Sequence, residues 1–426
     1  VMIEMKNKIN VILLCLVLFS TKAYSQKPIL FIGGTAHLGN GKVIKNSAVS
    51  INNGKFDIVA DASLIRIDPS AFDTIHRIYD KHIYPAFIVP NTTLGITEIS
   101  AVRATNDYNE TGNINPNVRS QIAYNTDSKI SKTIRSNGVL IAQVTPRGGR
   151  ISGQSSIMYL DGRNWEDATL KADDGIHMNW PESYYETGWW ANPGGIKENK
   201  NYSKQIDELT QLFNKAKAYS NGSNIIDLKM ESMKGLFEGN KTLYVHCNYS
   251  GDMRDAIDFI NNFKIEKKVI IGGEDALKIK ELIKKNNIPI ILNRVHRLPD
   301  SQDNAIDAPF TQAYKLQKEG ILFCLSYSGS MEAMGARNLP FTAGTTVAYG
   351  QEYEDAVKSI TLNPAKILGI DDILGSIEKG KEATFFISTG DALDMKTNSI
   401  ESAYIKGKSI SLNNHQKDLF RIYNNR

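Results

Sequence analysis

This chain of 426 residues has little with which to cross-link itself. Of its three cysteines, Cys15 stands in a leading apolar run, and Cys247 and Cys324 stand in separate short apolar segments. No CxxC pair exists and each of the two sits in an apolar strand-like run, so neither a cysteine metal site nor a disulfide framework is supported, and Cys247 and Cys324 are expected to be buried free thiols. Charge of one sign is equally scarce. Fifty Lys and Arg against 46 Asp and Glu leave a net +4, with no long basic block, which argues against a nucleic-acid partner. Beyond the leading run there is no stretch of about 18 apolar residues, the length a membrane-spanning helix needs. Catalytic and nucleotide motifs are missing too. There is no G-x-S-x-G elbow, and Gly235 to Thr242 has Asn240 before Lys241 where a phosphate loop needs glycine.

What is present starts with a leader. Lys6 and Lys8 precede an apolar run from Val11 to Phe19, and Ala23-Tyr24-Ser25 with Gln26 following supplies a small-x-small cleavage step. Residues 1–25 read as a secretory signal peptide, with Met5 as the natural start. The mature protein is expected to be exported, periplasmic or secreted, and free of the membrane once the signal is removed. A composition of 41% hydrophobic and 23% charged residues is that of an ordinary globular protein.

Two β-rich stretches frame the chain. Ile29 to Ile32, Lys42 to Lys45, Ala48 to Ile51 and Phe56 to Val59 are short strands, with hairpin turns at Asn40-Gly41 and Asn53-Gly54. Ala383 to Ser388, Ser402 to Ile405 and Ser409 to Leu412 repeat the pattern near the end. Together, 26–83 and 376–426 are predicted to form one composite β-sandwich. Between them, Leu243 to Cys247, Val269 to Ile271, Ile288 to Leu292 and Ile321 to Ser326 alternate with amphipathic segments. One such segment is predicted to be N-capped by Asp252 and to bury Ile257, Ile260 and Phe263; another runs from Glu274 to Lys285 with Ala276, Ile279 and Ile283 inward. Repeated βα units over 84–375 suit a parallel (β/α)8 TIM-like barrel, hence an α/β fold. Residues 146–202 break the rhythm. They hold every Trp of the chain (Trp165, Trp180, Trp189 and Trp190) beside Tyr184 and Tyr185, and read either as an insertion part of which lids the barrel or as a packing insertion.

Several motifs resemble the amidohydrolase superfamily, in particular its imidazolonepropionase-like branch. Ser359-Ile360-Thr361-Leu362-Asn363-Pro364-Ala365-Lys366-Ile367-Leu368-Gly369, followed by Gly375-Ser376-Ile377-Glu378-Lys379-Gly380-Lys381-Glu382-Ala383, is similar to that family's signature where the barrel ends and the chain returns to the sandwich. Thr145-Pro146-Arg147-Gly148-Gly149 through Gly153-Gln154 is similar to a Gly-rich turn and G-Q pair of the branch. The resemblance implies a hydrolase of C–N bonds, in non-peptide or cyclic amides, in which one or two divalent ions activate water.

The metal ligands that the resemblance implies are mostly replaced. Asn91 and Thr93 stand where the first strand's two His would be, His177 where a bridging Lys would be, and Gly272 where the sixth-strand His would be. Leu325-Ser326-Tyr327-Ser328 ends without the final Asp. His246 remains on the fifth strand. The cofactor left open is one zinc-like divalent ion on His177 and His246, or none. His246 and His296 are the candidate catalytic groups, His296 lying between Arg294 and Arg297 beyond the seventh strand, where contact with substrate is the alternative role. Asn91, Thr93, Arg147, Gln154, Asn248 and Ser328 are the candidate substrate contacts, Arg147 suiting an anionic ligand. Two functions fit: a C–N hydrolase with an altered or lost metal site, or an inactive paralogue that binds a small-molecule ligand or pairs with an intact amidohydrolase homologue.

Overall fold

Both ends of the chain share one apolar core. In a computed structural model, residues 27–424 are described except 190, 223–224, 300–303 and 330; the leader and Trp190 thus lie outside the described residues. The first sheet joins β1 (Ile29–Ile32), β4 (Ser47–Asn52), β5 (Lys55–Asp61) and β6 (Thr74–Arg77). A second joins β2 (Thr35–His37), β3 (Val43–Ile44) and β7 (His82–Pro85) to three C-terminal strands, Phe385–Ser388, Ile400–Ile405 and Lys408–Ile410. Asn53 and Gly54 take φ of 49° and 77°, which is why only such residues can make the tight β4–β5 turn. Between the sheets Phe31 meets Phe385 edge-on at 5.4 Å and Tyr404 edge-on at 5.3 Å. Full burial of each such ring is worth about 2–3 kcal/mol, so the sandwich ties the C-terminal strands to the N-terminal ones.

The barrel is one eight-stranded sheet. Its strands are β8 (Phe87–Thr92), β9 (Val139–Val144), β10 (Ile151–Tyr159) and β11 (Thr169–Asn179), then, after a hairpin of β12 (Tyr184–Trp189) and β13 (Asn192–Glu198), β14 (Thr242–Cys247), β15 (Lys268–Gly272), β16 (Ile290–Leu292) and β17 (Phe323–Leu325). All neighbours are parallel except β10, which runs antiparallel to β9 and β11. The strictly parallel barrel expected from the sequence is corrected there. A seam remains between β8 and β17, which share no ladder. The Asn-Pro-Ala motif stitches it: Ile88 N donates to Ile360 O at 2.9 Å, and the Asn363 amide donates to Phe323 O at 2.9 Å.

The stretch 146–202 is not an insertion between barrel units. It carries β10 and β11 themselves, and their pattern is hard to read because register shifts and the left-handed Asp173 (φ 48°) break the alternation. Trp165 and Trp180 pack into the core, whereas Tyr184, Tyr185 and Trp189 on the projecting hairpin are exposed.

Helices follow the strands largely as expected. Ser250–Phe263 buries Ile257, Ile260 and Phe263. It starts before Asp252, which is no N-cap: that carboxylate is buried and accepts from Ser183 N. Ala276–Ile279 is a tight turn that continues as the helix Lys280–Lys285, with Ala276, Ile279 and Ile283 inward. A closing helix, His415–Asn424, has no counterpart in the sequence reading.

Candidate functional site in the barrel mouth

The C-terminal ends of the strands surround a cavity of about 640 Å³. Asn91, Thr93, Arg147, His246, Asn248 and Ser328, all singled out from sequence, line it together with Thr97, Glu274, Arg297 and Glu332. Three expected residues are not in this lining: the buried His177, which touches His246, and two that lie elsewhere. His296 lines a different cavity beside Asp391 and bonds Thr345 Oγ1 at 2.7 Å. Gln154, a buried residue of β10, accepts from Lys241 Nζ and is absent from the mouth lining. No described residue of 184–198 lines the cavity.

His177, fully buried on β11, points at His246 on the adjoining β14, with Nδ1 and Nε2 3.0 Å apart. The His177 ring stacks on Tyr244, 4.6 Å between centroids. Gly175 makes room for that ring, since a Cβ there would lie 2.4 Å from Tyr244 Cε2. Burial, joined by the neighbouring His246 and Arg147, keeps the His177 imidazole far below its ordinary range. Burial and the Arg147 guanidinium hold His246 at about 3. Both rings are therefore neutral at neutral pH, and His246 is a weak base.

Arg147 leaves β9 through a turn that Gly148 and Gly149 allow, at φ of 83° and 64°. Its side chain then crosses the barrel seam. Nε and Nη2 donate to the Glu332 carboxylate at 3.1 and 3.0 Å, Nη2 also to Asn91 O at 2.9 Å, and Nη1 to Thr145 O and Pro146 O at 3.3 and 3.4 Å. Those contacts use all five guanidinium N–H groups. Asn91 is held in turn in a left-handed conformation, φ 50°, with its N–H donating to Gln143 Oε1 at 3.1 Å.

Below the imidazoles lies a polar cluster that sequence reasoning misses. Asp174, buried, accepts from Tyr244 OH at 2.6 Å and Gln143 Nε2 at 2.9 Å, and its other oxygen lies 2.9 Å from Lys171 Nζ. A Gln inside the apolar run Val139–Val144 was the available signal. The acid residues of the mouth, Glu332 and Glu274, were not foreseen as part of the site either. Each pairs with an arginine, Glu332 with Arg147 and Glu274 with Arg297. At the sixth-strand position Gly272 leaves no room for a side chain: a Cβ would lie 2.1 Å from Asn248 Oδ1. Among the described residues no three His, Cys, Asp or Glu are grouped to hold an ion; at the barrel mouth the two imidazoles that approach each other are those of His177 and His246.

Residues 229–410 match the amidohydrolase family model. That match covers less than half of the chain and supports the amidohydrolase superfamily. Among curated proteins, the imidazolonepropionase of Flavobacterium psychrophilum is 30% identical over 168 residues, 35% of this chain and 41% of that protein, so the chain spans about two-fifths of the relative it matches. Among solved structures, an amidohydrolase from Thermotoga maritima shares the fold at a TM-score of 0.75 and 24% identity, covering 90% of this chain and 99% of that one. An ochratoxinase from A. niger shares it more distantly, at 0.54 and 12% identity, covering 90% of this chain and 96% of that one. These likenesses account for a barrel carried on a composite sandwich.

Proposed function

We propose that this amidohydrolase-family chain binds a small polar ligand in its barrel mouth and does not use a catalytic divalent ion. The observation that carries this reading is the contact of His177 with His246 beside Arg147. The donor set does not fit a divalent ion. Two neutral imidazoles face a fixed guanidinium, and every nearby carboxylate is committed: Glu332 to Arg147, Glu274 to Arg297, and Asp174 to Tyr244, Gln143 and Lys171. A cation placed there would meet like charge with no carboxylate to offset it, and hard or borderline divalent ions depend on such anionic or multiple nitrogen ligands. His246 at about 3 is also a poor general base at neutral pH.

The second reading is a C–N hydrolase acting on non-peptide or cyclic amides through an altered metal site. One observation favours it: two ligand nitrogens on a tetrahedral zinc are roughly 3.3 Å apart, close to the 3.0 Å between His177 and His246. A turnover panel of lactams and cyclic imides, run with and without added zinc on the wild type and His246→Ala, separates the two. The first reading expects no zinc-dependent turnover. Zinc-dependent turnover abolished by His246→Ala would establish the second. Export to the periplasm or beyond belongs to the same proposal, supported by Lys6, Lys8 and the apolar run Val11 to Phe19. So does pairing with an intact homologue, which would supply the chemistry this mouth lacks.

A further inference from the structure

The polar groups around the mouth fall into two sets, those already paired within the protein and those with no partner. Arg147 has every N–H occupied, as described above. Arg297 is paired with Glu274, and Arg294 lies over the Tyr327 ring, 5.4 Å from its centroid. Ser328 donates to Asn293 Oδ1 at 2.9 Å, and the Asn293 amide donates to Asn248 Oδ1 at 3.3 Å. Two atoms of lining residues stand apart. Asn91 Oδ1 and Thr97 Oγ1 are buried, in residues only 2% and 4% exposed, and have no hydrogen-bond partner. Buried polar atoms in folded proteins are nearly always satisfied, so unsatisfied ones in residues that line a cavity point to something that enters it.

We propose that the ligand of the barrel mouth is uncharged and is recognised by hydrogen bonds to Asn91 Oδ1 and Thr97 Oγ1. This rests on the reading of the mouth as a ligand site. It replaces the anionic ligand that Arg147 suggests in the sequence. An anion seeking Arg147 has to displace Glu332, whose side chain is 12% exposed and would be left as an unpaired charge away from water. A cation meets a lining of three guanidiniums and two carboxylates, Arg147, Arg294 and Arg297 against Glu274 and Glu332, whose net sign repels it. A neutral molecule meets neither obstacle. It needs an N–H or O–H for the Asn91 carbonyl, while the Thr97 hydroxyl can donate or accept.

Acetamide, acetate and acetamidinium have the same shape and carry charges of zero, minus one and plus one, so they test this directly. Each is titrated into the full chain at matched ionic strength, with binding followed by saturation-transfer NMR on the wild type, Thr97→Val and Glu332→Gln. Acetamide is expected to bind the wild type best of the three. Thr97→Val, which replaces an unpartnered hydroxyl by a methyl of similar volume, is expected to weaken acetamide roughly two- to ten-fold while melting no lower than the wild type; a hydroxyl with a purely structural role would not separate binding from stability in this way. Glu332→Gln, by releasing Arg147, is expected to gain acetate binding. Wild-type preference for acetate or acetamidinium, or acetamide bound equally by Thr97→Val, overturns the proposal and leaves the ligand site standing. Binding of none of the three to any variant overturns the ligand-site reading itself.

Discussion

His177 Nδ1 and His246 Nε2, on neighbouring barrel strands, lie 3.0 Å apart, and the Arg147 guanidinium acts electrostatically on both. A proton added here would share a buried pocket with a permanent cation. The unfolded imidazole titrates near 6.5 and the folded His246 at about 3. Between those values the unfolded chain binds a proton that the folded one refuses. The stabilisation is therefore complete above about pH 6.5 and is lost as the pH falls toward 3, by about 1.4 kcal/mol per pH unit for each such imidazole. Urea unfolding at pH 7 and pH 5 should show a wild-type loss larger than that of His246→Gln by about 2 kcal/mol. Equal losses would mean that the pair is not buried as described.

The clasp between Arg147 and Glu332 closes the barrel where β8 and β17 share no ladder. Replacing Arg147 by Met leaves a mostly buried carboxylate unpaired and frees the Asn91 carbonyl, at a cost of about 2–4 kcal/mol. The double change Arg147→Met with Glu332→Leu should recover most of that, because neither charge is then stranded. Denaturant midpoints of the two single variants and the double variant form the cycle. A double variant as weak as the sum of the singles would show that the ion pair is not what holds the seam.

Gly175 sits under the Tyr244 ring that carries both the His177 stack and the bond to Asp174. Gly175→Ala should force that ring aside and destabilise the protein by about 1–3 kcal/mol. The same change should lower the affinity of any mouth ligand, since His246 is positioned through His177. A variant with wild-type stability would mean that the Tyr244 stack is not tight.

Particular residues explain what the sequence made legible. The turn at Asn53-Gly54, the buried face of Ser250–Phe263 and the Asn363 motif are local patterns whose physics is local, and all three fall where expected. The pattern of β10 and β11 is not legible because bulges break their alternation and because polar residues such as Asp174 and His177 face an interior that a hydrophobic pattern cannot describe, so only the resemblance puts His177 on a barrel strand. For the site, the lost ligands could be read one position at a time, and six expected lining residues do line the mouth. The partners could not. Glu332 lies 185 residues from Arg147, and only the closed barrel shows that the guanidinium expected to meet a ligand is already saturated. His296 sits at the correct end of its strand, yet its bond to Thr345 turns it toward a helix instead of the opening.

Metal content of the mature chain tests the central claim most directly. The protein, purified without chelator or immobilised metal, is incubated with excess zinc, desalted and analysed by inductively coupled plasma mass spectrometry beside His246→Ala. The account predicts less than roughly a tenth of an ion per chain in both proteins, because a pair of neutral imidazoles beside a guanidinium holds a divalent ion too weakly to survive desalting. About one ion per chain in the wild type, lost in His246→Ala, would contradict it and place a metal centre in the barrel mouth.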